Sequence, residues 1–147
     1  MRDIFVMECE LANIKLMYNV LTVAEFEAAR SPTQIHVTPT ESTGHLPAKM
    51  RGDRTRLTQV VVNLVRNAIK FTVRGTVRIL AAYDSARKTL LVHVQDNGLG
   101  ISAEDQERIF KIDTVLTGSR SLNRDGLGMG LHICQTTVAK FGGSISV

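Results

Sequence analysis

The sequence has no tryptophan and only five phenylalanines and two tyrosines among 147 residues, so aliphatic side chains must build its core. The same scarcity leaves little for bases to stack on, which argues against a single-stranded nucleic-acid platform. Its two cysteines, Cys9 and Cys134, stand far apart, with no CxxC pair and no histidine at metal-ligand spacing. A disulfide framework or a structural zinc site is therefore not expected, and reduced intracellular thiols are the simpler assumption. Long apolar runs are missing too. Asp3, Glu8, Glu10 and Lys15 interrupt the N-terminal region, and no stretch approaches the roughly 18 residues of a membrane span. The net charge of +4 is mild and its basic residues are scattered, which suits an anionic ligand at one site and no nucleic-acid patch.

What is present fits one domain over residues 1–147, long enough to bury a core. The organising stretch is Gly52 to Thr72, GDRTRLTQVVVNLVRNAIKFT. Leu57, Val60, Val61, Leu64, Val65, Ala68 and Ile69 recur at helical spacing and predict one buried face, with Asp53 as N-cap. Asn63, Asn67 and Lys70 recur at i, i+4 and i+7 and form a polar stripe beside that face. Two amides and an ammonium offer neutral oxygens to a hard cation and positive charge to an anion, as a magnesium phosphate group requires; a solvated helix face is the other reading.

Upstream, the spacing predicts a helix from about Leu11 to Arg30, ended by Ser31-Pro32, then a short strand from Gln34 to Thr38 and a polar loop with Pro39, Gly44 and Pro47. Downstream of the turn Val73-Arg74-Gly75, one alternating run places Val77, Ile79, Ala81 and Tyr83 on one face. A second does so for Leu90, Val92 and Val94, with Asp84 to Lys88 between, so a hairpin with one buried side is expected. By the same alternation Asp96 points toward the apolar side, at the edge of the core. Asn97-Gly98-Leu99-Gly100-Ile101 follows, where glycines permit a tight turn and close approach; a simple strand-end turn fits as well. Ser102 should cap a helix from Ala103 to Phe110.

From Lys111 to Asp125 periodicity is lost, over a length often found in lids. Gly126-Leu127-Gly128-Met129-Gly130-Leu131 then opens a helix bearing Leu131, Cys134, Val138 and Phe141. Glycines at a helix N-terminus present free N–H groups to an anion, although glycines serve equally as hinges. Gly142-Gly143 should cap this helix, and Ser144 to Val147 should begin a last strand.

Taken together, NLVRNAIKF, DNGLGI and GLGMGL, in that order, resemble the N, G1 and G2 boxes of the ATP-binding catalytic domain of sensor histidine kinases. This superfamily also holds gyrase, the MutL repair proteins and a heat-shock chaperone. The resemblance runs from about Leu11 to Val147. It implies an α/β (α+β) two-layer sandwich, a mixed, mainly antiparallel sheet with about three helices on one face. It also implies ATP and Mg2+ as ligands. By position, Asp96 would accept a hydrogen bond from the adenine amino group, with Gly98 and Gly100 shaping that pocket, Ile101 and Leu131 among its lining and Phe71 beside the base. Asn67 would be the magnesium ligand, and Asn63 and Lys70 would lie near the phosphates. Gly126, Leu127, Gly128, Met129 and Gly130 would complete the ATP-binding set, the glycines hinging the lid. Arg120 or Arg124 would reach the γ-phosphate or be solvated.

The same resemblance implies transfer of the γ-phosphoryl group to a histidine of a separate phosphoacceptor domain, with a response regulator downstream. Asn63, Asn67 and Lys70 would form the catalytic set. Superfamily members that hydrolyse ATP commonly carry an acid where this chain has Asn63, and an amide cannot take a proton, so transfer is favoured over hydrolysis. A cytoplasmic location is implied, including as the cytoplasmic part of a membrane-bound sensor, with no membrane contact by this segment. Three departures stand out. None of His36, His45, His93 and His132 lies in the phosphoacceptor pattern; Phe110-Lys111-Ile112-Asp113 replaces Phe-x-Pro-Phe; and the chain stops at Val147, before the family's closing strand. The alternative is a non-catalytic nucleotide-binding or scaffolding module of a signalling protein.

Overall fold

A computed structural model describes residues 14–29, 46–47, 52–111 and 129–147. In chain order these form β1 (Ile14–Val20), α1 (Val23–Ala29), α2 (Arg54–Phe71), β2 (Gly75–Asp84), β3 (Thr89–Asp96), α3 (Ala103–Gln106) and α4 (Gly130–Lys140). The expected strand over 34–38, most of the following loop, the Lys111–Asp125 segment beyond Lys111, and Gly126, Leu127 and Gly128 lie outside the described residues.

α2 forms where the apolar period predicts it. Asp53 Oδ1 accepts from Arg56 N at 3.0 Å, satisfying one of the amides that a helix N-terminus leaves without an intrahelical partner. Val60, Val65, Ala68 and Ile69 are its buried residues. Burying each large aliphatic side chain contributes about 1.5–3 kcal/mol. Val65, Ala68 and Ile69 pack with Val77 and, around it, Val61, Val62, Ile79 and Val94. At the other end Thr72 N donates to Ile69 O, and the buried Thr72 Oγ1 donates to Ala68 O at 2.7 Å.

The described sheet is mixed, in the order β1-β2-β3. β1 runs parallel to β2, from Ile14 opposite Gly75 to Val20 opposite Ala81, and β3 pairs antiparallel with β2, Val77 opposite Asp96 and Asp84 opposite Thr89. α2 lies on β2 and β3, α4 lies on α2, and α1 contacts β2. Helices on a mixed sheet are the α/β architecture expected.

Four expectations need correction. The helix over 11–30 is instead strand β1 followed by the short helix α1. A capping box explains the division: Glu25 N donates to Thr22 Oγ1 while Thr22 N donates to Glu25 Oε2, so the helix starts at Val23. The residues before it are free to pair with β2, and β-branched and aromatic Ile14, Tyr18 and Val20 suit a strand. Pairing overrides a modest helical spacing because propensity is a weak prior.

The hairpin is buried on both sides, not one. Leu80 and Ala82 are fully buried on the face opposite Val77, with Leu21 and Leu91. β2 is the central strand, and a strand covered on both faces reads as a near-continuous apolar run. The helix begun by Ser102 is short, Ala103–Gln106, continuing as turns to Phe110, although Ser102 Oγ does accept from Asp105 N at 3.1 Å. Residues 144–147 form no strand among the described residues, where no neighbour supplies the ladder a strand needs.

Candidate functional site

The site begins where β3 runs out against the C-terminal end of α2. Asp96 keeps its phase, opposite Val77, yet its side chain is exposed. This corrects the expectation of a carboxylate at the edge of the core: the strand ends at Asp96, and its side chain lies outside the cluster that takes in Val77 and Val94. Its Oδ1 accepts from Gly98 N at 2.9 Å, which bends the chain sharply after the strand. Leu99 N then donates to Phe71 O at 3.2 Å. A Cβ at Gly98 would collide with that same carbonyl and come within 3.0 Å of Asp96 Oδ1, so only glycine lets the loop sit on the helix end. Asn97 fixes the other side, its Oδ1 accepting from Thr76 N at 2.8 Å. Sequence reading did not assign Asn97 this work; its signal was an Asn between Asp and Gly at a strand end.

The polar stripe of α2 runs toward this helix end. Asn63, Asn67 and Lys70 are all half-buried, which does not match a fully solvated face. Lys70 Nζ stands 5.5 Å from the centroid of the half-buried Phe71 ring, within cation–π range. Asn63 turns toward α4: its Nδ2 donates to Gly130 O at 2.7 Å and approaches Cys134 Sγ at 3.4 Å. A Cβ on Gly130 would lie 2.8 Å from Asn63 Oδ1, so a larger residue here would displace the Asn63 amide. Cys134 is buried and its thiol reaches Val60 O at 3.8 Å. Burial pushes this thiol above its ordinary value and the Asn63 bond opposes the shift, leaving a protonated, structural group at neutral pH.

The structure therefore brings Gly98 and Leu99 to Phe71, with Asp96 bonded to Gly98, and Asn63 to Gly130 across 67 positions. Ile101 and Leu131 are half-buried, Gly100 is exposed with φ +70°, and Met129 is exposed just before α4. Gly126, Leu127 and Gly128, with Arg120 and Arg124, fall outside the described residues. Among the described residues no group of three or more His, Cys, Asp or Glu could hold a metal, and no helix is long and apolar enough to cross a membrane.

A mixed sheet backed by helices, with an Asp-Gly loop seated on one helix end and a glycine-opened helix packed on that same helix, defines the class as α/β. Comparison with known proteins narrows it. The profile of the histidine kinase-, DNA gyrase B-, and HSP90-like ATPase family matches residues 52–147, and the chain belongs to that family, as a histidine-kinase-type ATP-binding catalytic domain. Signal transduction histidine-protein kinase BarA of Escherichia coli (strain K12) is 39% identical over 104 residues, 69% of this chain and 11% of that protein. Adaptive-response sensory kinase SasA of Prochlorococcus marinus (strain MIT 9303) is 38% identical over 99 residues, 67% of this chain and 26% of its own. The chain thus spans between about a tenth and a quarter of the length of these curated relatives. Among solved structures, full-length ShkA in complex with AMPPNP aligns with 99% of the chain and 25% of its own, at TM-score 0.68 and 23% identity. The nucleotide-free catalytic domain of histidine kinase ThkA aligns with 99% of the chain and 80% of its own, at TM-score 0.64 and 24% identity. Both likenesses concern the fold.

Proposed function

We propose that this chain, as a single catalytic domain, binds Mg-ATP and transfers the γ-phosphoryl group to a histidine on a separate phosphoacceptor domain. That acceptor belongs to the full-length protein or acts in trans, within a cytoplasmic two-component system with a response regulator downstream. One observation carries the reading: the Asp96–Leu99 loop is seated on Phe71 at the end of the helix bearing Asn67 and Lys70, and Asn63 of that helix holds the first residue of α4. An exposed carboxylate for an amino group, an aromatic ring, a cation and a helix N-terminus thus belong to one linked assembly. The relatives' histidine-kinase names and the AMPPNP of the ShkA structure support it.

In this reading Asp96 accepts from the adenine amino group, Phe71 flanks the base, and Lys70 and the α4 N–H groups face the phosphates. Gly98, Gly100, Ile101 and Leu131 shape the base pocket, and Gly126, Leu127, Gly128, Met129 and Gly130 lie along the phosphate chain. Magnesium commonly takes one or two protein oxygens and completes its shell with phosphates and water. Asn67 would supply that oxygen; magnesium, when bound, neutralises phosphate charge. Asn63 donates to Gly130 O and is an amide, so it does not serve as a base toward water. Transfer by positioning and charge neutralisation is favoured over hydrolysis.

Calorimetric titration with AMPPNP, with and without magnesium, tests the site. Magnesium-dependent binding should weaken by about 10- to 100-fold in Asp96→Asn, the worth of a charge-assisted hydrogen bond, and less in Asn67→Ala. A folded wild-type chain that does not bind would sink the reading. Transfer of 32P from ATP to a supplied acceptor domain then tests the kinase step.

A further inference from the structure

One long-range bond has no part in the reading above. His132 Nδ1 lies 3.0 Å from the carbonyl oxygen of Phe110, 22 positions earlier. A carbonyl oxygen only accepts, so the proton sits on Nδ1, and in the neutral ring Nε2 is left bare. Phe110 follows Ile109, which is 3% exposed and donates its N–H to Asp105 O at 2.9 Å. The Phe110 carbonyl is therefore anchored to α3, and through the Ser102 cap to the end of the Asp96–Gly100 loop. His132 itself stands in the first turn of α4, two residues after Gly130, whose carbonyl accepts from Asn63.

Two side-chain bonds thus converge on one helical turn from different elements. The Asn63 bond and the buried Cys134, whose thiol reaches Val60 O, hold α4 on α2. The His132 bond ties the same first turn to the chain just after α3. Orientation is what matters at a helix N-terminus, because its N–H groups and dipole favour an anion only along the axis they point down.

We propose that His132 is a positioning residue for the phosphate end of the nucleotide: its Nδ1–H holds the Phe110 carbonyl and so aims the α4 N–H groups. The inference rests on the nucleotide-binding reading above. It predicts an asymmetry within the ligand. Loss of the bond should weaken triphosphate binding and spare the base end, which is held by Asp96 and Phe71.

The test compares His132→Ala, His132→Asn and His132→Gln in the full chain, each titrated with Mg-AMPPNP and with adenosine. An asparagine amide nitrogen reaches the place of Nδ1, and a glutamine amide nitrogen the place of Nε2. His132→Ala and His132→Gln should weaken AMPPNP about tenfold and adenosine by less than about twofold, and His132→Asn should restore most of the AMPPNP affinity. Nitrogen-15 NMR should show the Nδ1–H tautomer of the neutral ring. Equal losses for both ligands, unchanged affinities, or an Nε2–H tautomer would overturn the proposal. If His132→Ala does not fold, the Asn and Gln pair and the tautomer decide. A wild-type chain that fails to bind AMPPNP overturns the nucleotide reading and this inference with it, whereas wild-type binding with indifferent variants overturns this inference alone.

Discussion

Single atoms decide whether the Asp96–Leu99 loop can close on its helix. At Gly98 a methyl group would meet a backbone carbonyl, that of Phe71, and the Asp96 carboxylate. Backbone cannot rotate away as a side chain can. Gly98→Ala is expected to destabilise the fold by about 1–3 kcal/mol, the usual range for overpacking, and to weaken AMPPNP together with stability because the loop must lift from Phe71. Urea denaturation with a parallel titration checks this; an unperturbed variant would mean that the loop does not sit on Phe71. Asp96 and Gly98 were picked out by the resemblance of DNGLGI to the family's G1 box, since an acid before Gly-x-Gly at a strand end fits a plain turn equally well. Their partner, the Phe71 carbonyl, carries no sequence signal at all, since every residue has one. His132 was likewise opaque: a histidine in a helix has the same letter whether it is solvated or bonded to a carbonyl 22 positions away.

At the scale of elements, the β2–β3 hairpin depends on its turn. Asp84 Oδ1 accepts from Ala86 N and Arg87 N, both at 3.0 Å, and its Oδ2 meets Arg87 Nη1 at 3.0 Å. The Arg87 backbone bond first, aided by its guanidinium and the Ala86 N–H and opposed by desolvation, holds the Asp84 carboxyl below the usual range. A depressed folded-state pKa stabilises the fold above the unfolded value, near pH 4, and that contribution is lost as pH falls through the lower folded value. The wild-type chain should therefore exceed Asp84→Asn in urea midpoint by a constant margin from neutral pH down to about pH 4, with the margin shrinking below it. A margin independent of pH would show that the charge is immaterial. The turn at 84–88 was readable in the sequence, as was α2 with its Asp53 cap, because both signals are local. β1 was not, because a strand joins a sheet through a neighbour that lies about 60 residues further along.

At the scale of the whole molecule, the sheet separates two apolar clusters among the described residues. One is shared with α2; the other holds Leu21, Leu80, Ala82 and Leu91. Leu80 has no exposed surface, so Leu80→Ala should cost about 2–5 kcal/mol, as core truncations do. Had the hairpin only one buried side, the same substitution would cost less than about 0.5 kcal/mol, as surface changes do; equilibrium unfolding separates the two.

The sequence by itself determined the long helix, its cap, the hairpin turn, and the three boxes that place the chain in its ATPase family. Each is written in spacings over a few residues, where chain geometry leaves little choice. Only the tertiary structure decided that β2 is central and buried on both faces, that the N-terminal stretch divides into strand and helix, that Asp96 is exposed, and that Asn63 is engaged with Gly130. These depend on which surfaces and hydrogen-bonding groups remain after distant segments have paired, and a local period does not contain that information.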